Sequence, residues 1–204
     1  VLVDFAVEKA DDDKSWNIAL DLTKTAKLLT KETEAPFLQG LAKHSLSDFE
    51  ALKESLAKEI YEAETQIVSA SNQVLELIIS NGIEFSDFSR GSLPKHFKAL
   101  ASKKFDLSFS AQWQQSIDTA PLYTQKTTSH VASIIDGLRP ELIEAFLATK
   151  TIFYRLKYLK NIRKNTTPLS VINLINKELK LIKEEDNLLL ISEFNTIISQ
   201  EIKD

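Results

Sequence analysis

Cysteine and methionine are absent from this 204-residue chain, and glycine and proline are scarce, at four and five residues. Without cysteine there is no disulfide scaffold, no thiol nucleophile and no thiolate zinc or iron–sulfur site. That absence fits a cytoplasmic protein. So few glycines and prolines leave few turn signals, which argues against a barrel or sandwich of many short strands and for long helices joined by short loops. No apolar run reaches the roughly 18 residues needed to cross a bilayer. Asp4 and Glu8 fall where a signal peptide would have an uncharged core. With no initiator methionine, and no glycine closing the last helical pattern before Lys203-Asp204, the chain is expected to be a piece of a longer protein.

What is present is the composition of an ordinary globular domain, 43% hydrophobic and 26% charged, with a formal charge of −4. Residues 1–30 read as one or two short helices. The acidic turn Asp11-Asp12-Asp13 precedes Trp16, Ile18, Leu22, Ala26 and Leu29 at near-helical spacing. No glycine or glutamate follows at calcium-loop spacing, so the three aspartates read as a solvated helix entry. Ser47-Asp48-Phe49-Glu50 has the form of a capping box and predicts a helix start at Ser47. From there Leu56, Ile60, Ala63, Ile67, Ala70, Val74 and Leu77 alternate spacings of four and three until Asn81-Gly82. At 1.5 Å per residue such a helix is about 50 Å long, which predicts either one half of a protruding antiparallel arm covering about residues 47–165 or a helix packed along several partners. Further helices are expected near 111–117 and 127–135, with Gly137 as a stop. Pro140 then starts a second long helix carrying Leu142, Phe146, Thr149, Phe153, Leu156 and Leu159 to about Lys164. Two last helices follow, one from Pro168 and one from about Asp186. The expected fold is one all-α, elongated multi-helix domain.

Two regions carry candidate chemistry. Between residues 145 and 177 there is no carboxylate, while Lys150, Arg155, Lys157, Lys160, Arg163, Lys164 and Lys177 are all positive. Such a patch in an acidic chain can hold a polyanion through phosphate contacts; the alternative is a solvated helix face. The segment 83–109 holds five of the eleven phenylalanines, with a short helix expected to be capped by Ser92 and started by Pro94. Among the phenylalanines lie Arg90, Lys95, His96, Lys103 and Lys104. Aromatic and basic residues interleaved in this way can stack bases and neutralise phosphates, although phenylalanines that pin an irregular loop to helices beneath it give the same pattern. The DNA-binding candidates are therefore Lys150, Arg155, Lys157, Lys160, Arg163 and Lys164, with Arg90 and Lys95. His44, His96 and His130 lack metal-ligand spacing, the glutamates at 54, 59, 62 and 64 read as the wet side of a helix, and no phosphate loop or nucleophile elbow is present.

Three segments carry a family resemblance. Phe85-Ser86-Asp87-Phe88-Ser89-Arg90-Gly91 with Phe97 and Leu100 resembles the loop after the long helix in the first accessory insertion of UvrD-like helicases of the RecB/AddA exonuclease type. Pro168-Leu169-Ser170 with Ile172, Asn173 and Ile175 is similar to the helix by which that insertion returns toward the motor. The run from Asn187 to Asn195 is similar to the stretch before the Walker B strand. The resemblance covers about residues 45–204 and includes none of the family's catalytic motifs. It implies a helical 1B-type insertion with no catalysis or cofactor of its own, in a parent chain that uses ATP and Mg to move on DNA. It further implies the remaining motor domains, DNA and a nuclease subunit as partners. A helical scaffold domain, pairing through the 47–81 seam, is the alternative from a different class.

Overall fold

A computed structural model describes residues 18–202. The expectations at Asp11–Asp13 and Trp16 lie outside the described residues. The protein is all-α. Its helices are α1 (Ile18–Leu29), α2 (Ala35–Leu41), α3 (Leu46–Ser80), α4 (Ser92–Ala101), α5 (Gln112–Gln115), α6 (Ser129–Ser170), α7 (Ile172–Glu185) and α8 (Ile191–Glu201). Among the described residues the only β pairing is a single antiparallel bridge between Phe88 and Tyr123. The chain packs as two compact units. One is Ala57–Lys160; the other comprises, of the described residues, 18–56 and 161–202. Both α3 and α6 contribute to each.

Helix α3 is capped two residues before the expected position. Two overlapping capping boxes are written into this stretch, and the first is used. The Ser45 N–H donates to Asp48 Oδ2 at 2.8 Å, and the Asp48 N–H donates to Ser45 Oγ at 3.3 Å. The Ser45 N–H and hydroxyl, both donating to the Asp48 carboxyl, hold it below its ordinary pKa. Phe49 then lies one turn in, on the buried stripe that continues through Leu56, Ile60, Ala63 and Ile67. At the other end the Asn81-Gly82 stop is a Schellman motif. The Gly82 N–H reaches Ile79 O at 3.0 Å, the Ile83 N–H reaches Ile78 O at 3.2 Å, and Gly82 takes φ +71°. Ile83, at the position where such a motif carries an apolar residue, is buried.

The second long helix departs most from expectation. It is continuous from Ser129 to Ser170, passing through Gly137, Pro140 and Pro168. A proline in a helix interior costs roughly 3 kcal/mol, but Ile135 and Leu142 are both fully buried on either side of Pro140. Burying each is worth about 1.5–3 kcal/mol. A stop at Gly137 would take Ile135 out of register with Leu142, so burial outweighs the proline. Arg139 adds a tie, its guanidinium donating to the Ile117 and Ala120 carbonyls. Near Pro168, Thr166 and Ser170 hydroxyls donate to the Ile162 and Thr167 carbonyls, and the break comes only at Val171, so α7 starts at Ile172 rather than at the proline. The helix expected near 111–117 shrinks to one turn, and α4 is capped by Gly91 at φ +61° with Ser92 as its first residue.

Within Ala57–Lys160 the chain turns back on itself. Asp87 O accepts from Thr127 Oγ1 at 3.0 Å and Leu122 O from the Ser89 N–H at 2.8 Å, which brings the end of α3 beside the start of α6. Farther back along α3, Glu59 reaches Arg155 on α6, so the two helices run antiparallel here. The α3 stripe of Ile60, Ala63, Ile67, Val74 and Ile78 and the α6 stripe of Leu142, Phe146, Phe153 and Leu156 are both buried. The α3 seam is therefore covered within its own chain. In the other unit α1 lies against α7, and Asn173 on α7 donates to the Leu41 and His44 carbonyls at 3.2 and 3.1 Å.

Candidate nucleic-acid interface

The helical period decides which side of α6 meets water. Phe146, Thr149, Phe153, Leu156 and Leu159 are buried, and the opposite side exposes Tyr154, Arg155, Lys157 and Tyr158, with Lys150 half-buried one turn earlier. Lys150, Tyr154 and Tyr158 follow one another at intervals of four and so share a stripe. The tyrosines were not among the expected site residues. Their signal, two aromatic rings at i and i+4 among cations, was present in the sequence.

The cations of this unit differ in how they are engaged. Arg155 Nη2 lies 2.9 Å from Glu59 Oε2, and Lys160 Nζ lies 2.7 Å from Glu64 Oε1. Two glutamates of α3 are thus turned to α6 rather than left as a wet face. The pairs are partly exposed and worth at most about 1 kcal/mol each, but they neutralise two of the candidate positive charges locally. Lys157 Nζ sits 4.9 Å from the Phe153 ring centroid and donates to Leu107 O at 3.5 Å, a cation held over an aromatic face. Among the described residues Lys150 has no ion-pair partner. Arg163 and Lys164 are exposed and belong to the other unit.

Arg90 and Lys95 meet at the start of α4. Arg90 is exposed at φ +57°, and its carbonyl accepts from Lys95 Nζ at 2.9 Å, so the lysine closes a turn. No hydrogen bond or ion pair among the described residues joins this pair to α6. The phenylalanines around them pin the loop. Phe88, Phe97 and Phe109 are buried, Phe85 and Phe105 half-buried, and none of the five is exposed for base stacking.

His96 is a packing residue. Its ring stands edge-on to Phe97, Phe109 and Trp113 and near Phe146, with centroids 4.7–5.8 Å away. Gln114 Nε2 approaches its Nδ1 at 3.4 Å, and the His96 Nε2 has no hydrogen-bond partner. Burial lowers its pKa from 6.5 to about 4, so at neutral pH it is an uncharged member of an aromatic cluster. His44 and His130 are exposed. Among the described residues no group of histidine and carboxylate side chains is placed to hold a metal ion, and no helix is long and apolar enough to cross a membrane.

Compared with protein-family models, with curated proteins and with solved structures, the chain finds no match.

Proposed function

We propose that this chain is a non-catalytic, all-helical domain that guides nucleic acid along the exposed side of α6, as an accessory insertion of an ATP-driven DNA helicase or helicase–nuclease. The observation that carries the reading is the outward stripe of Lys150, Tyr154 and Tyr158, flanked by Arg155 and Lys157. Cations contact phosphates and exposed rings stack bases without sequence preference. The helicase context rests on the three resembling segments. Binding by the isolated chain is expected to be weak, on the order of 10⁻⁴ M at physiological salt, because the chain is acidic and Arg155 and Lys160 on this helix are already paired with Glu59 and Glu64.

Fluorescence anisotropy with a labelled oligonucleotide tests the interface. Lys150→Glu combined with Tyr154→Ala and Tyr158→Ala is expected to abolish low-salt binding while leaving helical circular dichroism unchanged. Retained binding would refute the stripe. Arg155→Glu is a poorer probe, because it sets a second carboxylate against Glu59. The helicase context is tested in the parent reading frame, which must encode a phosphate-binding loop before Val1 and an Asp-Glu motif soon after Asp204.

A second reading, a helical interaction domain, is favoured by one observation. Leu188, Leu189, Ile191, Phe194 and Ile202 are all exposed. Sedimentation decides it: dimer formation that Phe194→Asp abolishes would support this reading. Ile67, on the seam first expected to pair, is fully buried and unsuitable as a probe.

A further inference from the structure

A cleft of about 450 Å³ lies beside α6, lined by Lys103, Phe105, Asp106, Leu156, Lys157 and Lys160. All six belong to the Ala57–Lys160 unit. Three ammonium groups against one carboxylate give the lining a net positive charge, and the three come from two separate segments of chain. Two of the lysines are already held in place. Lys160 lies against Glu64 and over the Phe105 ring, at 5.1 Å from its centroid. Lys157 is held by the Phe153 ring and the Leu107 carbonyl.

Lys103 is the second residue past the end of α4, after the C-cap Ser102, in a Schellman closure made by the Lys103 N–H to Leu100 O at 2.9 Å and the Lys104 N–H to Ala99 O at 3.0 Å. Its φ is +58°. In that left-handed conformation a lysine is strained, and glycine is the usual choice. The equivalent residue after α3 is Gly82 and that after α7 is Asn187, both of types that tolerate this conformation. The turn itself favours glycine here, so the lysine brings to the cleft lining a charge that the backbone does not call for. Among the described residues Lys103 has no ion-pair partner, so its charge is available to a ligand.

We infer that this cleft is a phosphate-binding site in which Lys103, Lys157 and Lys160 converge on one anion. The inference rests on the reading of α6 as an anion-facing helix and adds a discrete subsite to it. Glu64, paired with Lys160, and Asp106, in the lining, oppose the charge and keep affinity moderate. The phosphate belongs either to a nucleic-acid backbone or to a small phosphorylated molecule.

The test is an NMR titration of the 204-residue chain with inorganic phosphate, against sodium chloride at matched ionic strength. Saturable shifts at the Lys103, Phe105 and Lys157 amides with phosphate alone are expected. Lys103→Gly, which removes the charge and relieves the backbone, is expected to bind about tenfold more weakly, as for loss of one charged hydrogen bond, and to melt no lower than the parent. Lys160→Gln is expected to weaken binding in the same way. Equal shifts with chloride, or phosphate affinity unchanged in both variants, would overturn the site. Displacement of phosphate by an oligothymidylate without terminal phosphates assigns it to a strand backbone; failure to displace assigns it to a small phosphorylated ligand. The stripe variant at Lys150, Tyr154 and Tyr158 spares the cleft. Phosphate binding without oligonucleotide binding therefore keeps this site and removes the nucleic-acid reading, and the reverse removes this site alone.

Discussion

In Ala57–Lys160 the phenylalanines at 88, 97, 109, 146 and 153 are buried, with Ile67, Ile78, Ile135 and Leu142 at zero exposure. In the other unit the connection from α7 to α8, α8 itself and the residue after it leave Leu188, Leu189, Ile191, Phe194 and Ile202 more than half exposed. Both stretches have apolar residues at helical spacing. One set is covered by facing helices of the same unit, and the other faces water. A periodic stripe thus states which face of a helix is apolar, while a closed core also requires a second face in reach. Most of the buried apolar side chains thus lie in Ala57–Lys160, and α8 carries an exposed apolar surface.

The largest expected effect separates the two regions directly. Phe146 is fully buried among His96, Phe109 and Trp113, so Phe146→Ala is expected to cost about 3–5 kcal/mol. Phe194 is 56% exposed, and Phe194→Ala is expected to change stability by no more than about 0.5 kcal/mol. Urea denaturation of both variants checks this, and equal losses would show that burial does not distinguish the two regions.

A smaller effect is confined to the closed unit. His96 is held neutral with a pKa lowered by burial from 6.5 to about 4. Above pH 6.5 it is neutral in both folded and unfolded chains. As pH falls from 6.5 toward 4 the unfolded chain takes up a proton that the folded chain refuses, and stability declines by up to about 3 kcal/mol. His96→Leu is expected to flatten that part of the pH profile of the urea midpoint. A profile that keeps its slope in the variant would assign the decline to other groups.

The smallest effects concern helix ends. Gly82 at φ +71° has open space around its missing Cβ, so Gly82→Ala is expected to cost about 1 kcal/mol through backbone conformation alone. Lys103→Gly, at φ +58°, is expected to gain about 1 kcal/mol by the same argument. Thermal melts that shift in opposite directions would sharpen the view that one end is built for stability and the other for its side chain.

Much of the fold was legible. The Asn81-Gly82 stop, the α3 stripe from Leu56 to Val74 and the α6 stripe from Leu142 to Leu159 are local patterns, and each is found where the spacing put it. The cap of α3 was off by two residues because two capping boxes overlap and local chemistry does not rank them. Pro140 misled because its cost is local, while the burial of Ile135 and Leu142 that overcomes it depends on distant partners. In the candidate interface, the positive run from Lys150 to Lys164 was visible as composition. Its division into paired and available charges was not, since Glu59 and Glu64 lie about a hundred positions earlier in the chain.

The all-α class, the apolar face of each long helix and the lack of thiol chemistry follow from residue type and from a period of about 3.6 residues. Only the tertiary structure decided which faces are covered, that His96 is buried and uncharged, and that Lys103 joins Lys157 and Lys160 around one cleft. Those outcomes depend on side chains far apart in sequence meeting in a low-dielectric, close-packed interior or at its rim, where the energy of a group is set by its neighbours.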